Sequence, residues 1–272
     1  MMTEAKPLIL LTNDDGVQSP GIAAAAKALA GLGDLVVAAP RDQQTSAGRS
    51  LPVTTDGRIE RVRIKLPQST EEIEAYAVGG TPAQSVLHAI LEILPRMPDV
   101  VVSGINYGEN VGTGVTISGT VGAALEAAAM GVPSLAVSLQ ILGQEWYTYH
   151  DLDFSAAADF ALRFTRVLLR RALPADVDLL KVDVPADAKP DTPWRITRQS
   201  RQRYYIPYLI RDGSWNSRGY VSARVKVMEQ EVEKDSDVYA IMFDKVVSVT
   251  PMSLDLTSRT DLTTLGMMME SV

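Results

Sequence analysis

The chain of 272 residues contains no cysteine. That absence removes disulfides, zinc-thiolate sites and a thiol nucleophile together, so the chemistry must come from oxygen and nitrogen groups. Histidine is scarce, with two residues. His88 falls in a helical pattern beside Leu87, and His150 sits in a polar, aromatic segment before Asp151; both are read as packed or solvated structural residues. Positive charge is in deficit, since 26 Lys and Arg against 33 Asp and Glu give a net charge of −7 and a pI near 5.0. Capture of a nucleic-acid backbone needs concentrated Lys and Arg, so polymeric nucleic acid is not an expected partner, whereas a small phosphorylated metabolite is compatible. Long apolar runs are missing too. The N-terminal run, of about five residues before a pair of carboxylates, is too short for a signal peptide or a membrane span, and a cytoplasmic protein is expected, without membrane attachment.

With 46% apolar and 22% charged residues, the chain has the composition of a folded protein with one large domain, or one domain plus an appendage. Residues 7–12 (PLILLT) form a continuous apolar run, as for a strand buried on both faces, and Pro20–Ala30 reads as an Ala-rich helix. The cycle recurs: a strand at 34–40, a helix at 81–94, a strand at 99–104, a helix near 120–131 and a strand at 134–139. Helical periodicity from 153 to 172 and a strand at 178–185 follow. This alternation predicts an α/β fold: a Rossmann-like, mainly parallel sheet with helices on both faces.

Residues 51–78 interrupt the cycle with β-branched alternation around Asp56-Gly57, a pair that suits a hairpin turn, and an edge hairpin is expected there. After Pro190 the composition shifts to Arg, Tyr and Trp, with β-like stretches at 194–198, 219–228 and 238–249. The expected organisation is therefore an α/β catalytic domain over 1–190 and a β-rich C-terminal extension over 191–272. The extension is expected to serve oligomerisation and to return to the core sheet near 238–251. The methionines at 267–269 read as a frayed tail or a contact surface. No internal repeat or low-complexity tract is visible.

Three segments could carry chemistry. Thr12-Asn13-Asp14-Asp15-Gly16 follows the first strand, and in open α/β sheets ligands bind at the carboxyl ends of strands. Adjacent carboxylates repel one another unless a cation lies beside them. Asn, Asp and Gly also make ordinary turns and helix caps, and both readings stand. The second segment, from Ala39 to Ser50, offers hydroxyls at Thr45 and Ser46 at the same sheet edge, although it also reads as a plain surface loop. The third is a strand running into Gly104-Ile105-Asn106-Tyr107-Gly108-Glu109-Asn110, continuing to Ser118-Gly119-Thr120 at the start of an Ala-rich helix. Free N–H groups and the positive end of a helix dipole make such an N-terminus an anion site, and the density of glycines with Asn106 and Asn110 favours a phosphate cradle over a simple cap.

Taken in order, Asn13-Asp14-Asp15-Gly16, the Ala39-Pro40 loop, Gly80-Thr81-Pro82-Ala83, and Ser103-Gly104-Ile105-Asn106 through Ser118-Gly119-Thr120 resemble the stationary-phase survival protein SurE family. The resemblance spans about residues 7 to 140, and Ser248-Val249-Thr250-Pro251-Met252 is similar to the family's late strand. It implies a metal-dependent 5'/3'-nucleotidase that hydrolyses nucleoside monophosphates, with short polyphosphate as a further substrate. It also implies one Mg²⁺ or Mn²⁺ per subunit, held by Asp14, Asp15, Thr45 and Asn106, and a homodimer or homotetramer whose C-terminal hairpins, around Tyr204–Tyr220, exchange between subunits. Thr45 stands where the family usually has Ser, with Ser46 beside it, and Gln84 and Ser85 replace an acid and a cysteine. In this reading Asp14 orients or deprotonates the attacking water, and Asn110, Ser118, Gly119 and Thr120 donate to the phosphate. Two alternatives stand beside this reading: an aspartyl-phosphate phosphatase, which ordinarily shows Asp-x-Asp, and a non-catalytic nucleotide sensor.

Overall fold

The computed structural model describes residues 6–142 and 152–270, so His150 lies outside the described residues. In chain order the elements are β1 (Leu8–Thr12), α1 (Pro20–Leu29), β2 (Asp34–Pro40), β3 (Ile59–Lys65), β4 (Glu72–Val78), α2 (Pro82–His88), β5 (Val100–Tyr107), α3 (Gly119–Ala129), β6 (Ser134–Leu139), α4 (Ser155–Leu168), β7 (Leu179–Val184), β8 (Trp194–Ile196), β9 (Tyr205–Arg211), β10 (Gly219–Val225), α5 (Asp237–Tyr239), β11 (Val247–Met252) and α6 (Leu262–Glu270). Nine strands form one sheet in the order β3-β4-β2-β1-β5-β6-β7-β11-β8, while β9 and β10 pair as a separate antiparallel hairpin. β4, β2, β1, β5, β6 and β7 run parallel, and β3 and β11 run antiparallel to their neighbours β4 and β7. This is the expected Rossmann-like α/β architecture with a C-terminal hairpin.

The central strands are buried on both faces, and their side chains alternate between two apolar clusters. Ile9 and Leu11 pack with Ile22 and Leu29 of α1 and Phe160 and Phe164 of α4. Leu10 points into the opposite cluster, with Val86 of α2 and Ala123 and Ala127 of α3. A continuous apolar strand with a helical layer on each face is the expected result of that alternation. Local signals start the helices. Ser19 accepts from Ile22 N ahead of Pro20, and Thr81 and Gln84 close a reciprocal capping box at α2. Gln84 also donates to Pro52 O at 2.7 Å and the Ser85 hydroxyl to Thr81 O at 3.0 Å, which gives the Gly80–Ala83 turn a structural function. His88 closes α2 and contacts Glu92 at 2.5 Å, in agreement with a structural role.

Several local expectations are corrected. The β3–β4 hairpin reverses through residues 66–71, with Gln68 in the left-handed region, and not at Asp56-Gly57. Gly57 N donates to Gly79 O and Gly79 N to Arg58 O, so that pair lies alongside the end of β4 where no reversal is needed. The helix over 81–94 becomes a π-helical turn after His88, and β5 continues to Tyr107 instead of ending at 104. The expected strand at 238–249 begins only at Val247: Ser236 caps the short α5, a π turn follows over Ala240–Asp244, and Lys245 ends it with φ 54°. Met267, Met268 and Met269 sit on α6 with their side chains exposed.

Gly21 lets α1 approach β5 closely. A Cβ there would lie 1.9 Å from Ile105 O, whereas Gly31 has nothing within 4 Å. Overpacking of this kind costs about 1–3 kcal/mol, so Gly21→Ala is expected to lower the denaturation midpoint markedly while Gly31→Ala stays near wild type. Equal midpoints for the two variants in urea titration would refute this packing.

Candidate active site

β1 connects through α1 to β2 on one side of the sheet, and β5 connects through α3 to β6 on the other. The strand order therefore diverges between β1 and β5, and a crevice opens at their carboxyl ends. A cavity of about 650 Å³ occupies this place; its lining includes Asp14, Asp15, Thr45, Ser46, Asn106, Asn110 and Ser118. The lining also includes Arg203 and, from the β9–β10 hairpin, Tyr205 and Tyr220 to Ala223.

Asp14 and Asp15 leave β1 within a turn secured by Asn13, whose amide donates to Gly16 O at 3.0 Å and to Ser19 Oγ at 2.7 Å. Both acids are buried. Burial raises the Asp14 pKa to about 6, although the Thr120 hydroxyl and the backbone amides of Asp14, Thr120 and Gly119 pull the other way by hydrogen bonding its carboxylate. Asp15 lies well above the usual carboxylate range, first because it is buried and then because Asp14 stands beside it. Tyr107 N, at 2.8 Å, and Gln43 Nε2, at 3.4 Å, donate to Asp15.

The loop with Thr45 and Ser46 is anchored to the same centre. Gln44 N donates to Asp14 O at 2.7 Å, and Gly48 N donates to Ile117 O at 3.0 Å. Both hydroxyl residues are exposed into the cavity. Asn106 arrives through an irregularity in β5, whose register against β6 shifts between Ser103 and Asn106. Gly104 makes this passage possible: its φ is +131°, and a Cβ would lie 2.3 Å from Val137 O. The Asn106 amide donates to Gly108 O at 2.6 Å, which leaves its side-chain oxygen as the acceptor.

The start of α3 differs from the expected phosphate cradle. Ser118 lines the cavity, but its Oγ caps the helix by accepting from Val121 N at 3.1 Å. Thr120 is fully buried, and its hydroxyl donates to Asp14 Oδ1 instead of facing the cavity. A Cβ on Gly119 would lie 2.6 Å from Asp14 Cβ. The anion held at this helix N-terminus is thus the Asp14 carboxylate, favoured by N–H groups and the dipole as an external anion would be. Asn110 does line the cavity; its N–H donates to Asp183 Oδ1 at 2.8 Å and its amide to Ser138 Oγ at 2.9 Å.

Sequence reading missed several neighbours. Glu109 is buried under the cavity, accepting from Tyr204 OH at 2.6 Å and Ile141 N at 3.2 Å, and burial raises its pKa. Arg203 is the cationic side chain in the lining, and Tyr205 stands beside it with its OH donating to Glu109 O at 2.8 Å. The Arg- and Tyr-rich composition after Pro190 was visible, but its placement over the site was not.

The chain is similar to proteins already described. The family model described as Survival protein SurE matches residues 9–206. A protein named 5'-nucleotidase SurE from Methanosarcina acetivorans is 41% identical over 259 residues, covering 93% of this chain and 94% of its own length. Its namesake from Thermococcus gammatolerans is 40% identical, covering 93% of this chain and 92% of its own length. The crystal structure of the SurE protein from Aquifex aeolicus superposes with a TM-score of 0.74 at 30% identity, over 97% of this chain and all of that one.

Because the folded protein keeps protons on Asp14 and Asp15 that the unfolded chain releases, the contribution of these two groups to stability in the presence of EDTA is fully present below the ordinary carboxylate pKa. It falls as pH rises through about 6. Melting temperatures taken from pH 4 to 7 should decline less for Asp14→Asn/Asp15→Asn than for wild type, after each is referenced to its value at the acid end. Parallel curves would contradict the raised pKa values.

Proposed function

The chain belongs to the Survival protein SurE family, and we propose on that premise that it is a metal-dependent phosphomonoesterase hydrolysing nucleoside 5'- and 3'-monophosphates. The observation that carries this reading is the burial of Asp14 beside Asp15 at the divergence of the sheet, in one cavity with Asn106, Thr45 and Ser46. The relatives' name, 5'-nucleotidase, supports the substrate class. The cavity falls within the size range of small-molecule sites.

The donor set fits a hard divalent cation. Among the described residues no three His, Cys, Asp or Glu side chains group as a metal site, and a set of two carboxylates with neutral oxygens instead suits Mg²⁺ or Mn²⁺, which retain waters and take phosphate oxygens. Asp14, Asp15 and Asn106 would hold the ion, with a hydroxyl from Thr45 or Ser46. When bound, it supplies Lewis-acid charge at the phosphate and at the attacking water.

The remaining work falls to the chain's own groups. Asp14 orients the water, and Thr120 and the α3 amides fix the carboxylate in one rotamer. Asn110 retains a second amide hydrogen and Ser118 its hydroxyl hydrogen; both face the substrate phosphate and stabilise the charge that spreads over its oxygens. Arg203 adds a cation to the lining, where it offsets the acids and draws in the anionic substrate. The β9–β10 hairpin is also the arm proposed to exchange in a homodimer or homotetramer, since Trp215 is 95% and Val221 71% exposed. Light scattering should return at least a dimer mass at micromolar concentration, and a monomer would overturn that assembly.

Hydrolysis of adenosine 5'-monophosphate should require Mg²⁺ or Mn²⁺ and stop in EDTA, and undiminished turnover after metal stripping would refute the proposal. Asp14→Asn and Asn106→Ala should each lower kcat by about a hundredfold, in keeping with lost metal positioning. Losses below about threefold in both would place the chemistry elsewhere.

Ser118→Ala separates capping from catalysis. Loss of the cap alone costs about 1 kcal/mol of stability and leaves kcat/KM per folded molecule unchanged. The proposed phosphate contact adds about a tenfold loss in kcat/KM. Melting and kinetics on one sample distinguish the two.

A further inference from the structure

Beneath the glycine-rich loop lies a charge cluster to which the proposed reaction assigns no part. Lys181 and Asp183 of β7 and Asp237 of α5 have no exposed side-chain surface, and the Lys181 ammonium contacts both carboxylates, Asp237 at 3.2 Å. Burial works against the ammonium, but Asp183 and Asp237 outweigh it and keep the Lys181 pKa above the ordinary value. Each carboxylate oxygen has a partner. Asp183 Oδ1 accepts from Asn110 N at 2.8 Å, and Asp237 Oδ2 from Gly112 N at 3.1 Å. Asp237 Oδ1 accepts from Ser200 N at 2.9 Å and Val238 N at 2.8 Å.

Stability alone does not account for this arrangement, because apolar replacements of buried ion clusters are commonly as stable or more so. What apolar side chains cannot do is accept the N–H groups of Asn110 and Gly112, which would otherwise be buried without partners. The cluster therefore fixes the backbone of the loop, while Ser138 of β6 fixes the Asn110 side chain. We propose that Asp183 and Ser138 are positioning residues for Asn110, with Lys181 and Asp237 holding Asp183 in place, so that Asn110 meets the substrate phosphate in one orientation. The inference rests on the phosphomonoesterase reading for the role of Asn110.

The test uses the full chain with Mn²⁺ and two readouts, turnover of adenosine 5'-monophosphate and calorimetric binding of inorganic phosphate, each expressed per folded molecule. Asp183→Asn keeps an oxygen for the Asn110 N–H, whereas Asp183→Ala removes it. The alanine variant is expected to weaken phosphate binding and lower kcat/KM by about tenfold or more, and asparagine to restore both to within about threefold of wild type. Ser138→Ala leaves the charge cluster untouched and should produce a loss of the same kind, so it decides the matter even where Asp183→Ala does not fold.

Wild-type binding and turnover in Ser138→Ala, or losses in Asp183→Asn equal to those in Asp183→Ala, would overturn the proposal. So would wild-type behaviour of Asn110→Ala. A wild-type chain that binds phosphate without hydrolysing the nucleotide would sink the phosphomonoesterase reading alone, and the phosphate affinities of the same variants would still judge the positioning.

Discussion

The Asp14 carboxylate, buried against the first turn of α3, is the contact around which the rest of the site is arranged. It receives the Thr120 hydroxyl and the helix amides while lying next to a second buried acid, Asp15. Two such groups are costly to desolvate together, and the surrounding donors offset only part of that cost. A site that keeps both acids is therefore poised for a counter-charge, and its structure limits what can surround them. Gly119 is glycine because Asp14 occupies the space of its side chain, and Gly122 because the carbonyl of Gly48 would lie 2.2 Å from a Cβ.

The same constraint links the three segments. The Thr45–Ser46 loop is tied at one end to the Asp14 carbonyl and at the other to Ile117, just before α3. Arg49 reinforces this through Glu126 on the same helix, at 2.6 Å. On the far side, Tyr107 N fixes Asp15, and the chain then turns through the loop held by Asp183 and Asp237. The acids, the hydroxyl loop and the amides are thus set by backbone bonds to rigid elements, with little left to loop mobility.

Much of the core was legible because burial imposes periodicity. PLILLT and the strands that follow read as continuous apolar runs, and Ala-rich segments between them read as helices. What was illegible depended on distant partners. Thr120 carries the marks of a residue aimed at phosphate, and only the approach of Asp14, far off in sequence, redirects its hydroxyl. Asp56-Gly57 is a sound turn signal, yet pairing between β3 and β4 decides where the chain reverses. The run Val238–Phe243 is too short for period to separate strand from helix, and the cap at Ser236 settles it. Lys181 and Asp183, charged at alternate positions of an otherwise apolar strand, are a further signal of a buried charge cluster.

The position of β11 carries a consequence for how the protein is made. It lies between β7 and β8, so β8, although earlier in the chain, has no place in the sheet until β11 arrives. Lys181 likewise waits for Asp237, and Asn110 is held by a carboxylate that Lys181 itself secures. During synthesis the N-terminal strands can collapse around β1 and β5 as they emerge, but the loop facing the cavity acquires its full support only after residue 237 leaves the ribosome. The central strands can thus assemble before the loop facing the cavity has its full support.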